Sequence, residues 1–251
     1  MLAAIRIGSL YVNMSFTLGE TMGKHSLTSK VIALGCIALT VAATESRGQG
    51  SVSGQVSITE RPGETTEDLG NTVIYLDLPA TVHPKIESTT DRIALQSRAF
   101  SPHVRIVPMG SKIDFPNQDP FSHNVFSKAS QGPFDTDVFG RGKTKSAVFK
   151  QAGIYPLYCN VHPRMTAFVI AVNTPYFAQA GADGRFAIGN VPPGSYTIHV
   201  WHERAAEQTA TLTVAGAGVG GLKYQLDARN YKYVQHKNKF GKDYANAGDI
   251  Y

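Results

Sequence analysis

Residue types that bind soft metals cluster in one short run of this chain, YCNVHPRM, at residues 158–165. Cys159, His162 and Met165 are separated there by two residues each, and His123 in the run DPFSHNVFS offers a second imidazole. A thiolate and two imidazoles in one plane, with a weak thioether beside them, suit copper in both of its oxidation states. Zinc sites use Cys, His or carboxylates and gain little from methionine. The four residues are therefore predicted to bind one copper ion.

Each of these residues also has an ordinary structural interpretation when it is taken singly. A lone cysteine in a β-protein is usually a small core hydrophobe, and methionine usually fills core space. A histidine at the end of a strand is more often a satisfied polar residue than a metal ligand. The combination Cys-x2-His-x2-Met directly after a predicted strand, with a His-Asn pair upstream, favours the metal site.

The N-terminal part of the chain has the pattern of a secretory signal peptide. A basic stretch at residues 24–30 precedes the apolar run VIALGCIALTVAA at residues 31–43, which ends in small residues. The run is too short to span a bilayer comfortably. Residues 1–43 are therefore predicted to be a signal peptide cleaved after Ala43, with Met22 as an alternative start. The mature protein is predicted to be periplasmic or secreted.

Cysteine usage supports the same interpretation of the metal site. Cys36 falls inside the predicted signal peptide, and it fits lipid attachment poorly because the apolar run continues well beyond it. Cys159 then remains alone in the exported chain and cannot form an internal disulfide. Its thiol is expected to be buried, paired with another chain, or bound to a metal.

Charge and motif content argue against a nucleic-acid partner and against an enzyme. Removing residues 1–43 takes Arg6, Lys24, Lys30 and Glu20 from the 24 basic and 19 acidic residues, which leaves 21 and 18 and a net charge of +3. This excess is too small to indicate nucleic-acid binding, and no basic helix or aromatic platform accompanies it. No serine or cysteine catalytic pair and no phosphate-cradling glycine loop is evident. The mature chain is also predicted not to span a membrane.

Short strand-like runs between turn residues dominate the chain from residue 51 onward. The composition is 42% hydrophobic and 17% charged, with 24 Gly and 13 Pro, as in turn-rich globular proteins. Runs such as SVSGQVSI, NTVIYLDL and AFVIAV are separated by Gly, Pro, Asn or Asp, and no long amphipathic helix is evident. The predicted fold class is all-β, built as two β-sandwiches.

Residues 89–173 resemble the cupredoxin family. The resemblance lies in MGSKIDFPNQDPFSHNVFS, in GRGKTKSAVF and in GIYPLYCNVHPRM, whose compact ligand loop is similar to that of the amicyanins. It implies a Greek-key β-sandwich that holds one type 1 (blue) copper ion. By this resemblance His123, Cys159 and His162 are the equatorial ligands and Met165 is the axial ligand.

The same resemblance assigns roles to residues around the metal. Asn124 would tie the strand that carries the first histidine to the cysteine loop and hydrogen-bond near the sulfur, which tunes the potential. His162 would face solvent and pass electrons, and Phe121, Pro163 and Phe139 would form an apolar docking rim. The implied partners are soluble or membrane-associated redox proteins.

The run ADGRFAIGNVPPGSYTIHVWHE resembles carboxypeptidase regulatory-like, or transthyretin-like, domains. We predict that residues 51–80 and 174–228 form one smaller, discontinuous transthyretin-like or Ig-like sandwich, with the cupredoxin domain inserted in one of its loops. The alternative is two domains in series, with the first two strands belonging to the cupredoxin. Residues 229–251 are polar, basic and rich in tyrosine, and they are predicted to be a tail on the surface.

The combination of the two domains resembles a group of bacterial exported proteins labelled methylamine utilisation proteins. By that resemblance the second domain would bind a carbohydrate or protein partner, with a packing scaffold as the alternative. The predicted function is a carrier of single electrons. Three alternatives stay open: a copper-delivery protein, an enzyme with an open copper site, and a metal-free carbohydrate- or protein-binding module.

The remaining histidines are predicted to be structural. His103, just ahead of a predicted strand, is expected at an ordinary surface position. His199 and His202 flank Trp201 in the run HVWHE. Strand alternation places His199 and Trp201 on one face and His202 on the other, so the two histidines cannot share a metal without a bulge.

Overall fold

The computed structural model describes residues 49–80 and 82–244 of the chain. The predicted signal peptide, with Met22 and Cys36, lies outside this part, as do the last residues of the predicted tail. Within it the chain forms strands throughout and one 3-10 turn, Leu69–Asn71, which confirms the predicted all-β fold class. In the described residues no helix is long and apolar enough to cross a membrane.

The strands, in chain order, are β1 Gly50–Thr59, β2 Val73–Asp77, β3 Thr90–Arg92, β4 Ala94–Gln96, β5 Ala99–Ser101, β6 Val104–Pro108, β7 Ser111–Pro116, β8 Phe126–Ser127, β9 Phe134–Asp135, β10 Thr144–Phe149, β11 Gly153–Tyr158, β12 Thr166–Val172, β13 Phe177–Gln179, β14 Arg185–Val191, β15 Gly194–Trp201, β16 Gln208–Val214 and β17 Val219–Asp227.

The first sandwich is built from strands β3 to β12. One sheet has the order β10-β7-β3 and the other β6-β12-β11-β8-β9, with the β4-β5 hairpin beside them. Side chains alternate along β7, where Ser111, Ile113 and Phe115 are buried and the residues between them are half-buried. The enclosed core contains Ile93, Leu95, Phe100, Val107, Ile113, Phe115, Val125, Phe139, Phe149, Tyr155, Leu157, Cys159, Met165, Ala167, Val169 and Ala171.

The second sandwich pairs strands from both ends of the described chain. Its sheets have the orders β14-β1-β17 and β13-β2-β15-β16. Strand β1 pairs antiparallel with β14 and parallel with β17, and β2 pairs antiparallel with β13 and β15. Strands β3 to β12 therefore lie, along the sequence, between two parts of one sandwich. Its buried core contains Val52, Val56, Ile74, Leu76, Tyr176, Ala180, Phe186, Ile188, Val191, Tyr196, Ile198, Val200, Leu212, Val214 and Leu226.

A third core joins the two sandwiches. It consists of Val73, Val104, Ile106, Ile170, Val172 and Trp201. Strand β12 contributes to two cores because its alternate side chains point to opposite faces, Val169 into the first sandwich and Ile170 into the joining core. His103 Nε2 lies 2.7 Å from Glu203 Oε1 beside this core. The four sheets are therefore stacked, and the first sandwich is supported from one side by the second.

Two histidines, one on β15 and one directly after it, have acidic or buried surroundings. His199 lies on the same side of the strand as Trp201, as alternation predicted, and its ring nitrogens are 2.9 Å from Asp77 Oδ2 and 3.0 Å from Glu207 Oε1. His202 follows the strand and is fully buried. Neither belongs to the one group of potential metal ligands that the described residues form, and the structural roles of both stay a prediction.

Truncating the side chain at the centre of the joining core is expected to destabilise the protein. Trp201→Ala should lower the free energy of unfolding by about 3–5 kcal/mol, because Trp201 is 8% exposed and its ring packs edge-on against Phe168. Val148→Ala is the control, since Val148 is 52% exposed and its loss should cost no more than about 0.5 kcal/mol. Urea unfolding followed by circular dichroism measures the free energy of unfolding of both variants. Tryptophan fluorescence cannot follow Trp201→Ala, because Trp201 is the only tryptophan in the sequence. Equal effects of the two substitutions would contradict a stabilising role for the joining core.

Candidate metal centre

The predicted ligands lie on two loops of the first sandwich. His123 lies between β7 and β8, where its backbone exchanges hydrogen bonds of 3.1 and 2.7 Å with that of Phe139. Cys159 directly follows β11 and Met165 directly precedes β12, so both are held at the ends of a hairpin loop. Inside this loop Met165 N donates to His162 O at 3.1 Å, and Cys159 N donates to Met165 O at 3.3 Å. Backbone hydrogen bonds thus fix the Cα positions of all four residues.

Three donor atoms converge on one point. Cys159 Sγ is 3.7 Å from Nδ1 of His123 and 3.7 Å from Nδ1 of His162, and the two nitrogens are 3.1 Å apart. One metal ion could reach all three donors with bonds of about 2.0–2.1 Å to nitrogen and about 2.3 Å to sulfur, the lengths found in zinc sites. His123, Cys159 and His162 would therefore hold it, and a thiolate with two imidazoles is a donor set that suits copper. Met165 is buried in the same core cluster as Cys159.

Burial sets the protonation of the three donors. It lowers the pKa of His123 despite the opposing Asp119 carboxylate, and it lowers the pKa of His162, together with the charges of His123 and Arg98, to about 4. Burial raises the pKa of the Cys159 thiol above its ordinary value. At neutral pH both imidazoles are therefore neutral, as metal binding requires, while the thiol must lose its proton.

Hydrogen bonds tie the cysteine to the loop that carries His123. Val161 N donates to Cys159 Sγ at 3.4 Å. The Asn124 side chain accepts a hydrogen bond from Asn160 N at 2.6 Å and donates one to Asp135 at 3.1 Å. Asn124 therefore connects the loop of His123 with the loop of Cys159. Its effect on the potential of the site stays a prediction.

Asp119 is a functional candidate that the sequence analysis missed. Its carboxylate lies 2.9 Å from His123 Nε2 and accepts hydrogen bonds from the backbone amides of Ser97 at 2.7 Å and Arg98 at 2.9 Å. Burial raises the pKa of Asp119, but these three donors outweigh it, so the pKa lies below its ordinary value. A carboxylate that accepts the Nε2 proton leaves the Nδ1 lone pair free to bind a metal. The only sequence signal is the position of Asp119 four residues before His123, which does not by itself reveal a contact.

The predicted apolar rim is wrong in most of its members. Phe139 is 5% exposed, and Pro163 is also buried, so neither side chain is available for docking. His162 was predicted to face solvent, but it is 5% exposed, and Phe121 packs against its ring with centroids 5.3 Å apart. Only Phe121 is half-buried, with the Arg98 guanidinium 5.1 Å from its ring centroid. Sequence position alone does not reveal which rim residues pack inward.

Residues 166–220 match the family model of polysaccharide lyase family 4, domain II. The match covers well under half of the chain, from β12 into β17. The resemblance to carboxypeptidase regulatory-like domains stays a prediction. No curated protein matches the chain.

Solved structures similar to part of this chain include a cupredoxin, an amicyanin and a nitrite reductase. A purple cupredoxin from Nitrosopumilus maritimus is 22% identical over 32% of this chain and 98% of its own, with a TM-score of 0.29. Amicyanin from Paracoccus versutus is 20% identical over 38% and 86%, with a TM-score of 0.31. A copper-containing nitrite reductase from Thermus scotoductus is 23% identical over 40% of this chain and 25% of its own, with a TM-score of 0.31.

Removing the charge of Asp119 is expected to weaken copper binding. Asp119→Asn should lower the affinity about 10- to 100-fold, because the amide no longer fixes the Nε2–H form of His123. Competition with a chromophoric chelator measures this. Asp114→Asn is the matched control, since that carboxylate lies on β7 and bonds Ser146 and Lys112 instead. Equal affinities of the two variants would show that Asp119 does not orient the ligand.

Copper binding between pH 6 and 8 is expected to release about one proton per ion, and Cys159 is its source. The thiol is protonated there because its pKa is raised, whereas His162 with a pKa of about 4 has no proton to lose. Affinity should therefore rise about tenfold per pH unit in this range. Calorimetric titrations in two buffers of different ionisation enthalpy count the protons. Release of two or more would mean that an imidazole is protonated in the metal-free protein.

Proposed function

We propose that the protein is a periplasmic or secreted type 1 copper protein that carries single electrons between redox partners. His123, Cys159 and His162 would bind one copper ion equatorially, with Met165 as the axial ligand. The observation that carries the proposal is the buried triangle of one sulfur and two imidazole nitrogens, 3.1–3.7 Å apart. Thiolate and imidazole together suit copper in both oxidation states.

Bound copper would supply a centre that alternates between the cupric and cuprous states. The chain's own part is to keep the donors in place during that change. Asp119 orients the His123 ring, and the Asn124 side chain links the two ligand loops. Burial of the donors excludes water, so little solvent has to reorganise when the charge changes. These properties favour a carrier over an enzyme.

Burial also distinguishes the carrier from a copper-delivery protein. Delivery requires ligands that a partner can reach and replace, but His123 and Cys159 are 0% exposed and His162 is 5% exposed. Electron transfer needs no such access, because an electron crosses intervening protein. A carrier would meet soluble or membrane-associated redox partners. Phe121 is half-buried and packs against the His162 ring, so partners would approach His162 most closely on the side of Phe121.

We further propose that residues 51–80 and 174–228 form one discontinuous domain, with the cupredoxin at residues 89–173 inserted in it. The pairing of β1 with β14 and β17 supports this organisation over two domains in series. In this proposal the second domain is a scaffold that packs on β6 and β12 through the joining core. The match of residues 166–220 to a polysaccharide lyase domain favours carbohydrate binding as a second role.

A visible spectrum after addition of one equivalent of cupric ion tests the copper proposal. The wild-type protein should show an intense blue band that ascorbate bleaches reversibly, because thiolate-to-copper charge transfer produces it. Cys159→Ser should lose the band. Met165→Leu should keep it but change the reduction potential, since the axial ligand tunes that potential. Met109→Leu is the control, because Met109 is partly exposed on the surface and should leave both unchanged.

A colourless or pale copper complex of the wild-type protein would overturn the electron-carrier proposal. Tight copper binding without the band would favour storage or delivery. Absence of any binding would leave the metal-free binding module as the function.

A further inference from the structure

The residues after the last strand return to the metal-bearing sandwich. Residues 229–244, here named the C-terminal segment, follow β17 of the second sandwich and form no helix or strand. Near the end of the segment a tight turn is closed by two hydrogen bonds of 2.9 Å, from Asn238 N to Lys242 O and from Gly241 N to Asn238 O. The sequence predicted a surface tail here, and the segment also contacts the cysteine loop and the end of β11.

Two hydrogen bonds reach the cysteine loop directly. The Tyr244 hydroxyl donates to the backbone carbonyl of Cys159 at 3.0 Å. The Lys239 amide donates to the side-chain oxygen of Asn160 at 2.8 Å. The segment therefore holds the candidate thiolate residue and its neighbour at once.

Aromatic contacts cover Tyr158, the residue directly before Cys159. His236 stacks on Tyr158 with centroids 4.6 Å apart and an interplanar angle of 26°. The His236 ring also meets Phe126 edge-on at 6.2 Å and Tyr244 edge-on at 5.5 Å. Tyr158, which directly precedes Cys159, is thus packed between core and C-terminal segment.

A closed cycle of polar contacts, here named the polar ring, connects the C-terminal segment to Asn124, whose side chain links the two ligand loops. Lys239 Nζ lies 2.6 Å from Asp135, which accepts a hydrogen bond from Asn124 at 3.1 Å. Asn124 in turn accepts one from Asn160 N at 2.6 Å, and Asn160 accepts the Lys239 amide. Opening the cysteine loop requires that the polar ring be broken, so the polar ring raises the free energy of local opening.

We propose that the C-terminal segment is a positioning element of the metal centre, which restrains the cysteine loop and closes that side of the centre to solvent and to metal exchange. His236, Lys239 and Tyr244 act through Cys159 and Asn160 and do not themselves bind the metal. The inference rests on the proposed copper function only for its copper-loaded measurement.

Thiol accessibility in the metal-free protein tests the inference independently of copper. His236→Ala combined with Tyr244→Phe, and separately a chain ending at Asn230, should increase the rate at which a small aromatic disulfide modifies Cys159. We expect about a tenfold increase for the double variant, because the Tyr244–Cys159 hydrogen bond and the ring contacts of His236 are lost. Val234→Ala is the matched control from the same segment, since Val234 is 81% exposed and should not change the rate.

The urea dependence of that rate separates local opening from general destabilisation. A local opening exposes little surface, so the faster modification should be nearly independent of urea at low concentration. An unchanged rate in the double variant, or a rate that follows urea as global unfolding does, would overturn the inference. If the shortened chain does not fold, the double variant still decides between these outcomes.

The copper-loaded protein gives a second measurement that a purely structural role would not affect. Transfer of cuprous ion to a chelator should be about tenfold faster in the double variant, and the thiolate-to-copper band should shift, while Val234→Ala leaves both unchanged. If no blue band forms in any variant, the copper proposal fails but the thiol rates still decide the role of the segment. Identical bands and transfer rates in a protein that does bind copper would count against the inference.

Discussion

The close approach of two imidazole nitrogens and one thiol sulfur in a buried pocket is the constraint on which the rest of the structure depends. The nitrogens of His123 and His162 are only 3.1 Å apart, and both must be free of protons to bind a metal. Burying two unpaired hydrogen-bond acceptors this close together is unfavourable, so the rest of the chain must prevent the two imidazole rings from moving apart. The backbone bridge to Phe139 and the hydrogen bonds inside the β11–β12 loop supply that restraint.

Support for the donors extends well beyond the two loops. Strand β12, which follows Met165, is buried on both faces because the second sandwich packs against its outer side. A strand enclosed in this way cannot shift without opening two cores at once. Strand β6 lies parallel to it and joins the same core through Val104 and Ile106. The second sandwich therefore limits movement of the hairpin that carries Cys159 and Met165.

The sequence predicted those features that depend on local spacing. Cys159, His162 and Met165 lie on one hairpin loop, so their proximity follows from their position between two strands of alternating pattern. His123 was chosen as the fourth ligand for its imidazole and its His-Asn pair, and the family resemblance added its equatorial role, because nothing local connects residues so far apart in sequence. The contact between Asp119 and His123 depends on how the β4–β5 hairpin presents two amides to the carboxylate. Such tertiary packing leaves no periodic signal, and neither do the inward positions of Phe139 and Pro163.

The charges of Asp119 and Arg98, which shift the pKa values of the two imidazoles, would also act on the charge of a bound ion. The Asp119 carboxylate opposes the lowering of the His123 pKa, whereas Arg98 contributes to lowering the pKa of both His123 and His162. A carboxylate favours the more positive, oxidised form of a metal centre, and a guanidinium favours the reduced form. Asp119 is hydrogen-bonded directly to a ligand ring, while Arg98 lies across the half-buried ring of Phe121, where water screens it more. On a bound copper ion the balance would therefore favour the oxidised state, and the same carboxylate that accepts the His123 Nε2 proton would also lower the reduction potential.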